Sequence, residues 1–253
     1  MAVKLVISGC AGRMGRRIVA LALADPAFAV VGGVEAAGNP TITQDVGALA
    51  GAGPIGVPVT SDLKATLARG DVLVEFTQPE ATLAHLQIAR ELRKSIVVGT
   101  TGLTDEQRQA LTAAAKDIAI VFSPNMSVGV NLLFELVRSA AQQLGLRYDV
   151  EIVEAHHKAK IDAPSGTAKR LAEMAADGRK QTPAQIPVHA IRAGDIVGDH
   201  TVVFAGPFER IELTHRASNR DVFAIGALRA AQFLASQPPG LYDMRHVLQG
   251  QGR

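Results

Sequence analysis

The sequence predicts an α/β protein of two domains, a parallel sheet with helices followed by a smaller α+β domain whose sheet is mostly antiparallel. Three observations carry that expectation. β-rich runs alternate with helical patterns over the first half, one such run leads straight into clustered glycines, and the pattern changes after Ser123-Pro124-Asn125. Strand–helix alternation implies a parallel sheet, because parallel neighbours need a crossover between them.

The elements follow in order. Residues 3–8 read as a buried strand, 14–24 as a helix, 29–35 as a second strand and 72–77 as a third, separated by Gly- or Pro-bearing turns. A helix over 80–93, a strand over 96–99, a helix starting near Thr104 and a strand over 118–122 continue the pattern; Asp105 and Glu106 suit that helix's first turn. Residues 36–58 are Gly-, Ala- and Pro-rich without periodicity and read as a long loop at the sheet edge. Beyond residue 126, Val130, Leu133, Phe134, Val137 and Ala141 form a helical face, and 148–155, 200–205 and 210–215 have strand patterns. The last helix, 222–235, is placed to return to the first domain. The expected division is therefore 1–126 completed by 220–253, with 127–219 as the second domain.

A chain of 253 residues with 47% apolar and 20% charged side chains has a globular composition, which excludes wholesale disorder. Its one cysteine, Cys10, allows neither an intramolecular disulfide nor a Cys-based zinc cage and fits a reducing compartment. Lys and Arg number 26 against 24 Asp and Glu, so no polyphosphate-binding surface is indicated and nucleic acid is not an expected partner. The longest nearly apolar stretch, 18–34, is interrupted by Asp25-Pro26 and is shorter than the roughly 20 residues of a membrane helix. Ile7-Ser8-Gly9-Cys10 resembles a lipoprotein cleavage box but lacks the apolar run that precedes one. The expectation is a cytoplasmic protein without a membrane partner.

The first strand runs into Gly9-Cys10-Ala11-Gly12-Arg13-Met14-Gly15, and a helix follows at once. Gly9 permits the sharp turn, Gly12 lets backbone N–H groups approach a pyrophosphate, and Gly15 allows close helix–strand packing. The spacing has one residue more than G-x-G-x-x-G. Glu35, at the end of the second strand, stands where a carboxylate would accept hydrogen bonds from ribose hydroxyls. Strand, glycines, helix and acid in this order make a Rossmann-type dinucleotide site the expectation. Gly99-Thr100-Thr101 lies at another strand's carboxyl end, where parallel sheets bind ligands. Cys10 reads as a small filler rather than a nucleophile.

A second constellation occupies 154–167, EAHHKAKIDAPSGT, at a strand end. If the strand runs through position 157, side-chain alternation puts His156 and His157 on opposite faces, which gives them different tasks. Ser165 can cap a following helix, whose first N–H groups, at Gly166 and Thr167, would receive a carboxylate or phosphate. A metal site with His189, His200 or His215 ranks low, because adjacent histidines on a strand diverge and Lys158 and Lys160 would repel a cation. The segment reads as an anion pocket with a proton donor attached.

Together these segments resemble the 4-hydroxy-tetrahydrodipicolinate (dihydrodipicolinate) reductase family of bacterial lysine and diaminopimelate biosynthesis. The resemblance rests on GCAGRMG at 9–15, EFTQPEAT at 75–82, VGTTG at 98–102, SPNMSVGVN at 123–131, EAHHKAKIDAPSGTA at 154–168, RAGDIVGDHTVVF at 192–204 and the C-terminal GLYDMRHVL. It implies a Rossmann-type cofactor domain, a substrate and tetramerisation domain, a homotetramer, and reduction of a cyclic dicarboxylate by NADH or NADPH with loss of water. By resemblance, His156 is the proton donor/acceptor and Lys160 a second donor, and the substrate meets His157, Lys160, Gly166 and Thr167. Cofactor contacts carry over to Gly9, Cys10, Ala11, Gly12, Arg13, Met14, Glu35, Gly99, Thr100, Thr101, Ser123, Pro124, Asn125 and Met126, and no metal is implied.

The chain departs from the family pattern twice. Its 168–191 segment is shorter than in many members, and Ala36-Ala37 stand where some carry an arginine suited to the 2′-phosphate of NADPH. Glu35 without that arginine predicts that NADH is preferred. Two other readings share the cofactor half: a reductase acting on a different substrate, and a non-catalytic nicotinamide-nucleotide sensor.

Overall fold

A computed structural model describes residues 1–250; positions 251–253 of the expected 220–253 segment lie outside the described residues. In chain order the elements begin with β1 (Val3–Ser8), α1 (Arg13–Leu23), β2 (Phe28–Val34), α2 (Val46–Leu49), β3 (Val59–Thr60) and α3 (Leu63–Leu67). Then come β4 (Val72–Glu75), α4 (Pro79–Glu91), β5 (Ser95–Val98), α5 (Asp105–Ala114), β6 (Ala119–Phe122) and α6 (Val128–Leu144). The rest is β7 (Asp149–His156), α7 (Gly166–Arg179), β8 (Val188–Arg192), β9 (Asp199–Ala205), β10 (Arg210–Arg216), α8 (Asp221–Leu234), β11 (Gly240–Tyr242) and α9 (Met244–Gly250). The chain divides into two compact units, Met1–Met126 with the segment from Phe223 onward, and Ser127–Val222.

The first unit is a seven-stranded sheet in the order β11-β6-β5-β4-β1-β2-β3, with every pair parallel. Leu5, Val6 and Ile7 of the central β1 are fully buried, as expected of a strand covered by helices on both faces. Thr104 caps α5 in a capping box with Gln107, and Asp105 and Glu106 occupy the first turn. The stretch 36–58 is more ordered than its composition suggests, and α2 and α3 were not expected. The Asp45 carboxylate accepts from Ala48 N at 2.9 Å, capping α2, and from Gly56 N at 2.7 Å and Val57 N at 3.1 Å, which ties the loop back to its start. One carboxylate collecting several backbone N–H groups leaves no periodic trace in the sequence. The short edge strand β11 was likewise not anticipated.

The second unit is a four-stranded sheet, β10-β9-β7-β8, in which β9 is antiparallel to both β7 and β10, while β8 runs parallel to β7 after the α7 crossover. The expected mostly antiparallel sheet thus carries one parallel edge. β8 escaped sequence reading because its residues are half or fully exposed and show no apolar alternation. Along the inner face of β7, Val150 and Ile152 pack with Val202 and Phe204 of β9 and with Val137 and Leu171 of α6 and α7. The same face then turns polar: the next inward positions are Glu154 and His156 on β7 and His200 on β9.

Candidate active site

In the first unit, β1 ends in a turn that only backbone can fill. Gly9 has a φ of +67°, and a Cβ on Gly15 would lie 2.1 Å from the Gly9 carbonyl oxygen, so α1 starts in direct contact with the turn. The Glu35 carboxylate reaches back to accept from Ala11 N at 2.8 Å and also accepts from Asn39 Nδ2 at 3.1 Å. Arg16 Nε donates to Ala11 O at 2.7 Å, so loop and helix are locked from both sides. These groups edge a cavity of about 870 Å³ lined by Ser8, Gly9, Ala11, Gly12, Arg16, Glu35, Ala36, Ala37 and Asn39 on one side and by Phe76, Thr77, Gln78 and His85 on the other.

Below that second wall lies Glu75, fully buried at the end of β4. It accepts from Thr77 N at 2.9 Å and from the Thr77 hydroxyl, and it pairs with His85 Nδ1 at 2.6 Å. The turn after β4 is therefore held in place by a carboxylate inside the sheet. A turn of glycine backbone at a helix start, a carboxylate at the end of β2 and a cavity lined by both fit a dinucleotide.

Of the cofactor positions named from sequence, Gly9, Ala11, Gly12 and Glu35 line this cavity. Arg13 and Met14 open α1 outside its lining, and Arg16 takes the wall position instead. Cys10 is buried, close behind Gly33, and burial together with the Glu35 charge pushes its thiol up to about 12, so it has no nucleophilic character. Gly99 packs against Phe76, one of the lining side chains, and Thr100 accepts from the Thr82 hydroxyl at 2.8 Å. Thr101 and Pro124 are exposed and Asn125 half-buried, while Ser123 and Met126 are buried. None of residues 99–101 or 123–126 is part of the cavity wall.

The second unit gathers the other constellation. Glu154 is fully buried and its carboxylate is saturated: Arg192 donates to both oxygens, at 2.8 and 2.9 Å, Ser165 N donates at 3.1 Å, and His156 Nδ1 lies 2.5 Å away. Arg192 and His156 hold the carboxyl below its usual range against the opposing effect of burial. For His156 burial outweighs the Glu154 contact, and the balance falls below the ordinary histidine value. His200 sits edge-on to His156 with ring centroids 5.2 Å apart, and burial drops it to about 4, so it is neutral at neutral pH.

His156 ends β7 on the buried face; the strand stops there, so His157, half-buried, opens the following loop and strand alternation does not extend to it. Lys160 pairs with Asp162 at 2.7 Å, and its charge bears on His156. Ser165 caps α7 by accepting from Ala168 N at 3.1 Å, so Gly166 and Thr167 form its first turn; no atom lies within 4 Å of where a Gly166 Cβ would be. Gly198 flanks the free side of the His156 ring: a Cβ there would come within 3.1 Å of Nε2.

Sequence reading missed Glu154, Arg192 and His200. Glu154 carried a signal, since an acid two residues before a histidine on one strand shares its face. Arg192 and His200 arrive from strands 36 and 44 positions after His156 in the chain only through β-pairing. Among the described residues no group of three or more His, Cys, Asp or Glu side chains could hold a metal ion. Nor is any helix among them long and apolar enough to cross a membrane.

A parallel sheet with a glycine cradle and an acid at the end of β2, joined in one chain to a buried carboxylate–histidine network, defines a two-domain NAD(P)H-dependent oxidoreductase. Residues 3–126 match the family described as dihydrodipicolinate reductase, N-terminus, and residues 129–248 the corresponding C-terminus. The chain belongs to the dihydrodipicolinate reductase family. It is 50% identical to the 4-hydroxy-tetrahydrodipicolinate reductase of Anaeromyxobacter dehalogenans (strain 2CP-1), over 97% of each chain. It is 47% identical to that of Cupriavidus pinatubonensis, over 96% of this chain and 98% of the relative. A solved structure, dipicolinate-bound dihydrodipicolinate reductase from Paenisporosarcina sp. TG-14, superposes with a TM-score of 0.81 at 26% identity, covering 96% of this chain and 98% of that one. An amine dehydrogenase from Mycobacterium smegmatis shares the fold at 14% identity, with a TM-score of 0.63 over 97% and 96%.

Proposed function

We infer that the chain catalyses the reaction for which its family is named, reduction of 4-hydroxy-tetrahydrodipicolinate to tetrahydrodipicolinate with loss of water, in lysine and diaminopimelate biosynthesis. The observation that carries this reading is the buried Glu154–His156 pair beside Lys160 and the α7 N-terminus, in a chain that also holds the glycine cradle. A bound reduced nicotinamide supplies a hydride. The residues of this chain do the rest. Gly9, Ala11 and Gly12, whose own N–H groups are engaged by Val34, Glu35 and Gly9, leave room for the pyrophosphate to approach the start of α1, and Glu35 retains lone pairs for ribose hydroxyls beyond those used by Ala11 and Asn39. His156 exchanges its proton at Nε2, since Nδ1 is engaged by Glu154. A ring gaining negative charge as hydride arrives is stabilised by a protonated neighbour, the role of His156 and Lys160. Gly166 and Thr167 receive a substrate carboxylate at the start of α7, with His157 and Lys160 beside it. The solved relative holding dipicolinate supports a planar dicarboxylate as the ligand class.

NADH is the favoured cofactor in this reading, because Glu35 repels a 2′-phosphate and is followed by Ala36 and Ala37, both on the cavity wall. The units serve as dinucleotide-binding domain and as substrate and tetramerisation domain, in a cytoplasmic homotetramer. The deciding experiment is steady-state oxidation of NADH with substrate formed freshly from pyruvate and aspartate semialdehyde. Turnover that requires the cyclic substrate, and competitive inhibition by pyridine-2,6-dicarboxylate, are expected. A purified chain that binds NADH but shows no turnover would favour a nucleotide sensor, and sedimentation at monomer mass would remove the tetramer.

A further inference from the structure

The second unit holds two groups that exchange no proton and touch no substrate in the proposed chemistry, the buried Glu154 and the Arg192 clamped to it. Their placement follows from strand register. Glu154 and His156 share the inner face of β7 two residues apart, and parallel pairing sets Arg192 of β8 opposite His156. The Arg192 guanidinium takes both Glu154 oxygens and also donates to Asp162 O at 2.6 Å. A carboxylate alone against Nδ1 would hold the imidazolium so firmly that it released its proton poorly; a guanidinium on that carboxylate weakens the hold. A general acid works best with its ionisation near the working pH.

We propose that Glu154 and Arg192 are positioning residues for His156: Glu154 fixes the neutral ring with its proton on Nδ1, leaving Nε2 to exchange protons, and Arg192 keeps the carboxylate from locking the ring in its charged form. The inference rests on the acid–base reading of His156 given above. Every charged or titratable group near the ring enters the balance. Glu154 on β7 favours the imidazolium, whereas Arg192 on β8 and Lys160 in the following loop oppose it. Asp162 partly offsets Lys160 through their ion pair, and His200 on β9 packs edge-on as a neutral ring. Gly198 adds no side chain where Nε2 emerges.

The test is an NMR pH titration of the full chain with ¹⁵N-labelled histidine, alongside the pH profile of kcat. In the unaltered protein neutral His156 is expected as the Nδ1–H tautomer; an Nε2–H tautomer overturns the proposal without any variant having to fold. Glu154→Gln should lower the His156 midpoint and Arg192→Gln should raise it, each by about one pH unit or more. Arg192→Lys should restore it most of the way. The limb of the kcat profile should move in the same opposite senses, which a merely structural role would not produce. Movement of both variants in one direction, or of neither, overturns the proposal. Near-normal turnover of His156→Gln would instead remove the acid–base role and leave the NMR result standing, so the two failures are distinguishable.

Discussion

The glycine turn of the first unit and the Glu154–His156 network of the second each prepare a place for an anion, but with opposite materials. The turn is backbone: the N–H groups of Gly9 and Gly12 close it on Val34 O and Gly9 O, and because Gly9, Gly12 and Gly15 carry no side chain α1 can start directly against it. The network is mostly side chain: three residues, from two strands and a helix start, make four contacts with one buried carboxylate. A backbone site tolerates changes in what surrounds it but not in its own residues. A side-chain site depends on partners far away in sequence, and losing one of them leaves a buried charge uncompensated.

The sharpest way to break this comparison is at its chemistry. His156→Gln is expected to lower kcat by about 10² to 10⁴ while NADH binding stays near the unaltered level, measured by steady-state kinetics and by fluorescence titration of the cofactor. Equal losses in both would show that the two places are not separable.

The next effect concerns stability. His200 folds with an ionisation near 4 against 6.5 for the ordinary side chain, because burial disfavours its charge. Its folded value is depressed, so the stability tied to its neutral form is complete above about pH 6.5 and is lost as pH falls through about 4. That loss is on the order of 3 kcal/mol. Denaturant unfolding from pH 7 to pH 4 should show a smaller decline in His200→Phe than in the unaltered chain, and identical declines would assign the acid sensitivity elsewhere.

On the backbone side, Gly15→Ala places a methyl group 2.1 Å from the Gly9 carbonyl, with no flexible side chain to move aside. A cost of about 1–3 kcal/mol in stability is expected, together with weakened cofactor binding and an unchanged His156 titration. The smallest expected effect is on cofactor choice. The kcat/KM ratio should favour NADH over NADPH by roughly tenfold, about 1.4 kcal/mol, and Ala36→Arg should move it toward NADPH. Arg16, being already engaged by Ala11 O, is a weaker partner for a 2′-phosphate than a free arginine would be. No movement in Ala36→Arg would show that this position does not meet the adenosine ribose.

How much of each place was legible follows from the same difference. Gly9, Gly12 and Gly15 reveal the turn because close approach permits no other residue type, and Glu35 adds a carboxylate at the required distance along the chain. Ser165 reveals the start of α7 in the same way, since an N-cap is a local demand. Glu154, by contrast, reads in sequence as one more strand-end acid. Only the pairing of β7 with β8 and β9 shows that it is buried, and by which partners. Arg192 was visible within RAGD but not its task, and β8 itself was hidden by its exposed residues.

The sequence by itself determined the class of fold, the position of the glycine turn, the cap of α7 at Ser165 and, through the resemblance of its ordered motifs, the family. These follow from periodicity, steric demand and local capping, each confined to a short stretch of chain. Tertiary structure alone decided that Arg16 rather than Arg13 edges the cavity, that Asp45 orders the 36–58 segment, and that Glu154, Arg192 and His200 surround the histidine. Register between strands brings residues together across dozens of positions, and the burial that shifts an ionisation exists only once those strands have paired.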